Sequence, residues 1–313
     1  MRNFAMTLLT FMLLIVKSPQ RAFADEGGAS FWQLGQFGSL VAVPNRAGWA
    51  LTIAYYHSSA DTNAGRSFRR GRQIIAGLDA RSNLLSTELA YTFSNSVAGA
   101  HAAIGLNVNA GPANAAVDAI LTGPEGGILS GARSQTVVGI GDPNPSATLK
   151  WSRGDNNFMT YTMVGVPVGS YSADRIANLG LNHWSLDSGG AYTFFDKRNE
   201  FSAIAGFTYN FENRDTLYQN GINSHLDWSL SRFTSDQTNV GLAGYSYYQL
   251  TRDSGGGAVL GEFKSRVSAV GPQVGRSFGK GDKTWSISLR SYYEFTARNR
   301  PRGWNVWLTY AIP

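Results

Sequence analysis

Cysteine is absent from all 313 residues of the chain. That excludes disulfides, thiolate metal sites, a cysteine nucleophile and an acylated lipoprotein anchor. Histidine is scarce. His57, His101, His183 and His225 are the four, and no two stand at metal-ligand spacing. No Gly-x-Ser-x-Gly elbow or phosphate loop occurs. Gly255-Gly256-Gly257 has no strand-to-helix context and reads as loop flexibility, and Arg153-Gly154-Asp155 reads as an ordinary turn. Charge is thin as well, at 15% of residues against about 25% in soluble domains. No stretch reaches the roughly 18 consecutive apolar residues of a spanning helix, so a helical membrane protein is excluded. The formal charge of +6 includes Arg2, Lys17 and Arg21. Without them the balance is too small and too scattered to imply nucleic acid.

What is present begins with an address. Arg2 precedes an apolar run over 4–16, and Ala22-Phe23-Ala24 offers a small-x-small site before Asp25-Glu26. This layout predicts a signal peptide over 1–24, cleaved after Ala24, and hence export. An exported chain without a spanning helix can cross a membrane only as a closed β-barrel, because an open sheet edge cannot face lipid.

The run Thr284-Trp-Ser-Ile-Ser-Leu-Arg-Ser-Tyr-Tyr-Glu-Phe-Thr296 supports that barrel. Successive strand side chains point to opposite faces. One face carries Trp285, Ile287, Leu289, Tyr293 and Phe295, with aromatics at both ends and aliphatics between. The other carries Arg290, Tyr292 and Glu294. Aliphatic in hydrocarbon, aromatic at both interfaces and polar toward a lumen is the pattern of a bilayer-crossing strand.

Similar alternation recurs over 49–56, 85–93, 101–108, 136–140, 148–152, 158–166, 190–195, 201–210, 225–231, 240–249, 266–277 and 304–312. Single-chain bacterial barrels have even strand numbers. The expectation is therefore an all-β, antiparallel up-and-down transmembrane barrel of about 12 strands over 49–313. Compact polar turns alternate with longer segments at 58–83, 111–133, 167–188 and 251–264, the two rims of a barrel. Residues 25–48 do not alternate. Phe31, Trp32, Phe37 and Leu40 make this stretch an apolar arm or short helix, a candidate plug and gate. The last strand alternates through Tyr310 and Ile312 but ends in Pro313 rather than an aromatic.

The predicted inward faces carry Glu88, Asn210, Glu212, His225, Asp227, Tyr247, Gln249, Arg290 and Glu294. Buried charges need water or partners. These residues therefore line a permeation path or form a network that fills the barrel. Arg290 and Glu294 lie roughly 13 Å apart along the strand, so each needs a partner other than its neighbour.

Several segments together resemble a known family. They are Phe31-Trp32, Phe37-Gly38-Ser39-Leu40, Gly141-Asp142-Pro143, Pro167-Val168-Gly169-Ser170-Tyr171 and Ala177-Asn178-Leu179-Gly180. Trp184, Asp187-Ser188-Gly189-Gly190-Ala191-Tyr192, Tyr209-Asn210-Phe211-Glu212-Asn213, Tyr218-Gln219-Asn220-Gly221, His225-Leu226-Asp227-Trp228, Lys264 and Gly271-Pro272-Gln273 extend the match over roughly 30–313. The chain resembles the outer-membrane proteins assigned to the meta-pathway of phenol degradation. The resemblance implies a transporter-like barrel associated with aromatic catabolism, and it carries over no catalytic residue.

These readings converge on an outer-membrane channel of a Gram-negative-type bacterium for passive uptake of small hydrophobic or aromatic solutes. Its expected partners are membrane lipid, the solute and the barrel-assembly machinery; no cofactor, metal or nucleic acid is expected, and the oligomeric state is open. Two other readings stand beside it. One is a barrel hydrolase using a rim Ser and His, for which His225 beside Asp227 is the candidate. The other is a secreted β-sandwich binding module.

Overall fold

A computed structural model describes residues 30–61, 67–70, 73–76, 78–122, 128–258, 264–279 and 284–313. The expected signal peptide lies outside them. Fifteen strands follow in chain order: β1 (Gly48–Asp61), β2 (Ser67–Arg70), β3 (Gln73–Ala76), β4 (Asp79–Val97), β5 (Ala100–Thr122), β6 (Ile128–Ile140), β7 (Asn144–Arg153), β8 (Asn156–Gly165), β9 (Ser185–Phe195), β10 (Asn199–Asn210), β11 (Asn223–Ser235), β12 (Thr238–Gln249), β13 (Arg266–Phe278), β14 (Trp285–Arg298) and β15 (Arg302–Ile312).

Every pairing is antiparallel, and the pairs β1–β15 and β4–β5 close the sheet into a ring. Strands β2 and β3 form a separate hairpin in the first long connection. Strand β6 is an extra piece. It and β7 both pair with β5, β6 along 110–122 and β7 along 101–107, so they share one place in the ring. The wall therefore has twelve positions, the number expected once thirteen alternating segments are reconciled with an even strand count. The sequence segments 136–140 and 148–152 are two parts of one interrupted strand.

The two faces of each strand separate as the sequence requires. On β14, Leu289, Tyr293 and Phe295 are exposed while Arg290, Tyr292 and Glu294 are buried. Trp49 and Tyr91 pack together on the outside, as do Tyr209 and Phe211. Among the described residues no helix is long and apolar enough to cross a membrane; the crossing elements are strands.

Turns on the rim shared by both chain ends are short. The β4–β5 turn is Ala98-Gly99, both with positive φ (50° and 74°), the backbone of a two-residue hairpin that follows strand twist. Longer connections lie at the opposite rim. One expectation fails there: 111–133 is mostly ladder, not loop, because β5 and β6 extend as a tall hairpin. Another long connection, 211–222, was not foreseen. It is stapled to the β12–β13 connection by the bridge Gln219↔Ser254.

Candidate functional site in the barrel lumen

Residues 30–47 lie inside the barrel as irregular turns; the short-helix alternative is not what forms. A buried backbone without secondary structure must find other hydrogen-bond partners, and here the wall supplies them. Asp227 on β11 accepts from the N–H groups of Gly35 (3.2 Å) and Phe37 (3.3 Å). The Leu40 N–H donates to Glu200 Oε1 (3.1 Å) and Ser202 Oγ (3.0 Å), both on β10. The Ala42 N–H donates to Thr193 Oγ1 on β9. Carbonyls are taken up in turn: Leu34 by Trp307 Nε1, Gln36 by Arg290 Nη2 and Val43 by Lys150 Nζ. Ser39 Oγ sits 2.9 Å from Ser231 Oγ and accepts from Gln273 Nε2.

Two glycines permit the close fit. Gly35 has φ +76°, and a Cβ there would lie 2.7 Å from the Tyr292 ring; a Cβ on Gly38 would lie 2.3 Å from the Arg290 guanidinium. A side chain at Gly35 would be strained by its positive φ and would clash with the Tyr292 ring, and one at Gly38 would displace the Arg290 guanidinium.

Trp32 is the apolar centre of the plug. Its indole is buried and stacks on the His225 ring, with centroids 3.6 Å apart and planes 14° apart. It also packs on Phe37 and Tyr161. Beneath it, His225 Nε2 is 3.0 Å from Asp187 Oδ2. Tyr161 donates to Asp187 Oδ1 at 2.7 Å, and Thr208 donates to Oδ2. Three donors around one fully buried carboxylate compensate its lost hydration.

The sequence-predicted lumen residues divide. Asn210, His225, Asp227, Tyr247, Gln249, Arg290 and Glu294 are all buried within the ring. Glu88 lines the larger cavity described below. Glu212 is a correction: it follows the end of β10 and is exposed in the 211–222 connection, because the strand stops at Asn210. Arg290 and Glu294 do find separate partners. Arg290 binds Gln36 O and Thr309, while Glu294 accepts from Tyr245 (2.9 Å) and from the Gly303 N–H (2.8 Å). Of the plug candidates, Phe31 and Trp32 are buried, and Phe37 and Leu40 are partly so. Sequence reading missed Tyr161, Asp187, Glu200, Thr193 and Ser231. The inward alternation of β9 and β10 was the available signal for Asp187 and Glu200.

Two cavities flank the plug. One, of about 400 Å³, is bordered by Phe37, Glu88, Asn107, Lys150, Met159 and Tyr161. The other, of about 240 Å³, is bordered by Leu34, Tyr56, Leu84, Asp142, Tyr245 and Trp304. Phe31, Trp32 and Gln33 border both, so the plug is the partition between them.

The hydrogen-bond partners of His225 Nε2 are Asp187 and Tyr161, not a serine. His183 Nδ1 is 3.4 Å from Ser185 Oγ, but that nitrogen donates to Trp184 O and the serine donates to Asn210. A protonated Nδ1 cannot take the serine proton. Among the described residues no group of three His, Asp or Glu could hold a metal.

A known structure shares this architecture. The COG4313 outer membrane channel from Pseudomonas putida F1 aligns with a TM-score of 0.67 at 12% identity, covering 87% of this chain and 98% of that one. A FadL homologue from Pseudomonas aeruginosa aligns more loosely, with a TM-score of 0.44 at 10% identity over 94% of this chain and 98% of its own. No curated protein sequence matches. The family model described as "Putative MetA-pathway of phenol degradation" matches residues 55–310. The chain belongs to that family.

Proposed function

We propose that the protein is an outer-membrane channel that passes small hydrophobic or aromatic solutes by passive diffusion. The observation that carries this reading is the pair of cavities inside a closed, lipid-facing ring, with Phe31, Trp32 and Gln33 of the plug between them. Their walls mix aromatic and aliphatic surface with a few polar groups, the usual make-up of a site for small apolar ligands. Tyr56, Tyr161, Tyr245 and Trp304 offer ring faces for stacking. The family description and the channel from Pseudomonas putida F1 point the same way. In this mechanism the solute enters at the long-connection rim, and the Phe31–Leu40 segment gates what lies below. Export by the predicted signal peptide and insertion by the barrel-assembly machinery belong to the same proposal.

The test uses Gram-negative cells with an intact lipopolysaccharide layer and the hydrophobic probe 1-N-phenylnaphthylamine, which fluoresces on reaching the bilayer. Expression of the protein, confirmed by outer-membrane fractionation and heat-modifiable migration, is expected to speed probe uptake. Correctly inserted protein that leaves uptake at the host rate would refute the channel. A soluble, non-heat-modifiable product would favour the secreted module.

A further inference from the structure

The long-connection rim of the ring carries its charges unevenly. Where β1 meets β15 and β4, opposite signs face each other. Asp61 stands across from Arg302 on one side and from Asp79 on the other, and Asp79 bonds Arg81 at 3.1 Å. Two acids there balance two arginines. On the β13–β14 ladder the pairing is different: Arg266 stands directly across from Arg298. Both are exposed, and Val267 beside Arg266 is fully buried, so the pair lies on the outer face of the wall. Like charges directly opposite each other on a ladder repel. Among the described residues neither guanidinium has a hydrogen bond or an ion pair. Lys264, two residues before Arg266, is exposed as well and adds a third positive charge; its ammonium donates to Leu250 O.

Below the arginines the outer face changes in a definite order. The next outward rung is made of hydroxyls: Ser268 stands between Ser246 and Thr296, and the two serine oxygens are 3.1 Å apart. Under it Val270 stands across from Tyr293, with Phe295 close by, and all three are exposed. Val270 is four residues from Arg266, roughly 13 Å along the strand. From mid-membrane to rim the surface is therefore apolar, then hydroxylated, then cationic. A phosphorylated glycolipid runs through the same order in the same direction: acyl chains, then a polar sugar, then phosphate. This rim bears the longer connections, the extracellular end of a bacterial barrel.

We propose that Arg266 and Arg298, with Lys264, form a site on the outer face of β13 and β14 for a phosphate of an outer-leaflet glycolipid of the lipopolysaccharide type. This rests on the outer-membrane placement of the barrel and not on the passage of solute. Both arginines face away from the lumen, so they lie off any axial path. A guanidinium presents a planar fork of donors that matches two phosphate oxygens at once. One phosphate held between two such forks replaces the repulsion across the ladder with attraction on both sides. The hydroxyl rung then meets the sugar, while Val270, Tyr293 and Phe295 lie along the acyl chains. The β1–β4–β15 side of the rim, neutralised by its own aspartates, offers no equivalent.

The test titrates the folded barrel, purified in detergent, with diphosphoryl lipid A and counts bound lipid by native mass spectrometry. The parent is expected to retain one lipid tightly. Arg266→Gln with Arg298→Gln, checked for folding by heat-modifiable migration, is expected to weaken that binding about tenfold or more. Arg81→Gln with Arg302→Gln removes the same charge from the balanced side and is expected to leave binding unchanged. If the double variant misfolds, the two single Arg→Gln variants are each expected to show a smaller loss. A parent that holds no diphosphoryl lipid A overturns the proposal, as does equal binding by parent and variants. Equal loss in the control pair overturns it too, in favour of a general effect of surface charge. Equal binding of fully dephosphorylated lipid A means that only the apolar belt is read, and the phosphate site fails. Displacement of the lipid by excess inorganic phosphate, which itself stays bound to the parent, assigns the pair to a free anion and overturns the lipid. Uptake of 1-N-phenylnaphthylamine tests the channel separately, so either reading can fall alone.

Discussion

Strands β9 to β15 supply most of the described hydrogen bonds to the plug, whereas β8 meets it mainly through packing, as of Tyr161 on Trp32. Asp227, Glu200, Thr193, Ser231, Gln273, Arg290 and Trp307 all bond the N-terminal segment, and all lie between β9 and β15. From the other half only Lys150 makes a hydrogen bond to it among those described. The larger cavity touches that side through Glu88, Asn107 and Met159 and the opposite side through Gln273, Arg290 and Thr309. The interrupted strand belongs to the Lys150 side. One half of the ring thus carries most of the hydrogen bonds to the plug and the other carries few. The difference is chemical. The plug-bonding half presents carboxylates and amides at the spacing of backbone N–H groups, while β5 and β7 present Ala103, Gly105, Ser146 and Thr148, side chains too short to reach a plug.

Removing the plug tests this asymmetry most severely. Deletion of residues 30–47 should leave the barrel heat-modifiable yet convert a quiet protein into one with large, steady conductance in planar bilayers. Equal conductance before and after would mean the plug does not obstruct. Trp32→Ala comes next. It removes the stacked partner of His225 and opens the partition, at a cost of roughly 3–5 kcal/mol in plug docking. Faster solute uptake and a lowered thermal midpoint are expected together.

Matched carboxylate changes compare the halves directly. Asp227→Asn replaces two charge-assisted bonds to the plug and should weaken docking by about 1.5–3 kcal/mol, read as intermittent conductance. Glu88→Gln, on the other half, should leave docking intact and shift ion selectivity in the unplugged deletion toward anions. If Glu88→Gln loosened the plug as much as Asp227→Asn, the division into halves would fail.

The smallest effect concerns the rim above the plug-bonding half. Asp253 is buried between the 211–222 and 250–265 connections, and it accepts from Tyr218, the Gly221 N–H and Gln249. Burial raises its carboxyl above the ordinary range, partly offset by those three donors. Its folded pKa is above its unfolded one, so its contribution to the clasp is complete below the unfolded value. The contribution fades as pH rises through the folded value. Hydrogen exchange of residues 211–222, corrected for intrinsic rate, should show more protection at acid than at neutral pH.

The outer surface was legible because large residues announce it. Leu289, Tyr293 and Phe295 alternate with polar partners, and nothing but a lipid face explains that order. The plug was legible for the opposite reason, as bulky apolar residues without a period. Strands built from small residues were not. Ala113-Asn114-Ala115-Ala116 in β5 shows no apolar contrast and reads as loop, yet it pairs with β4 and β6. The break was hidden because Gly141-Asp142-Pro143 looks like any turn; only the ladder on both sides marks it as a gap in one strand. The partners of the plug backbone were out of reach in principle, since a serine or glutamate that binds a main-chain N–H carries no local signature of doing so.

The plug's lack of internal structure also sets a timetable for assembly. Its partners lie from 107 to 273 residues downstream, and most belong to strands that emerge last. Until β9 to β15 stand side by side, Asp227, Glu200 and Trp307 do not form a single surface, and residues 30–47 have nowhere to go. The first part of the folded protein to be synthesised is therefore among the last to settle. A wall short of β9 to β15 would lack the groups that hold residues 30–47, so docking of that segment depends on a nearly complete ring.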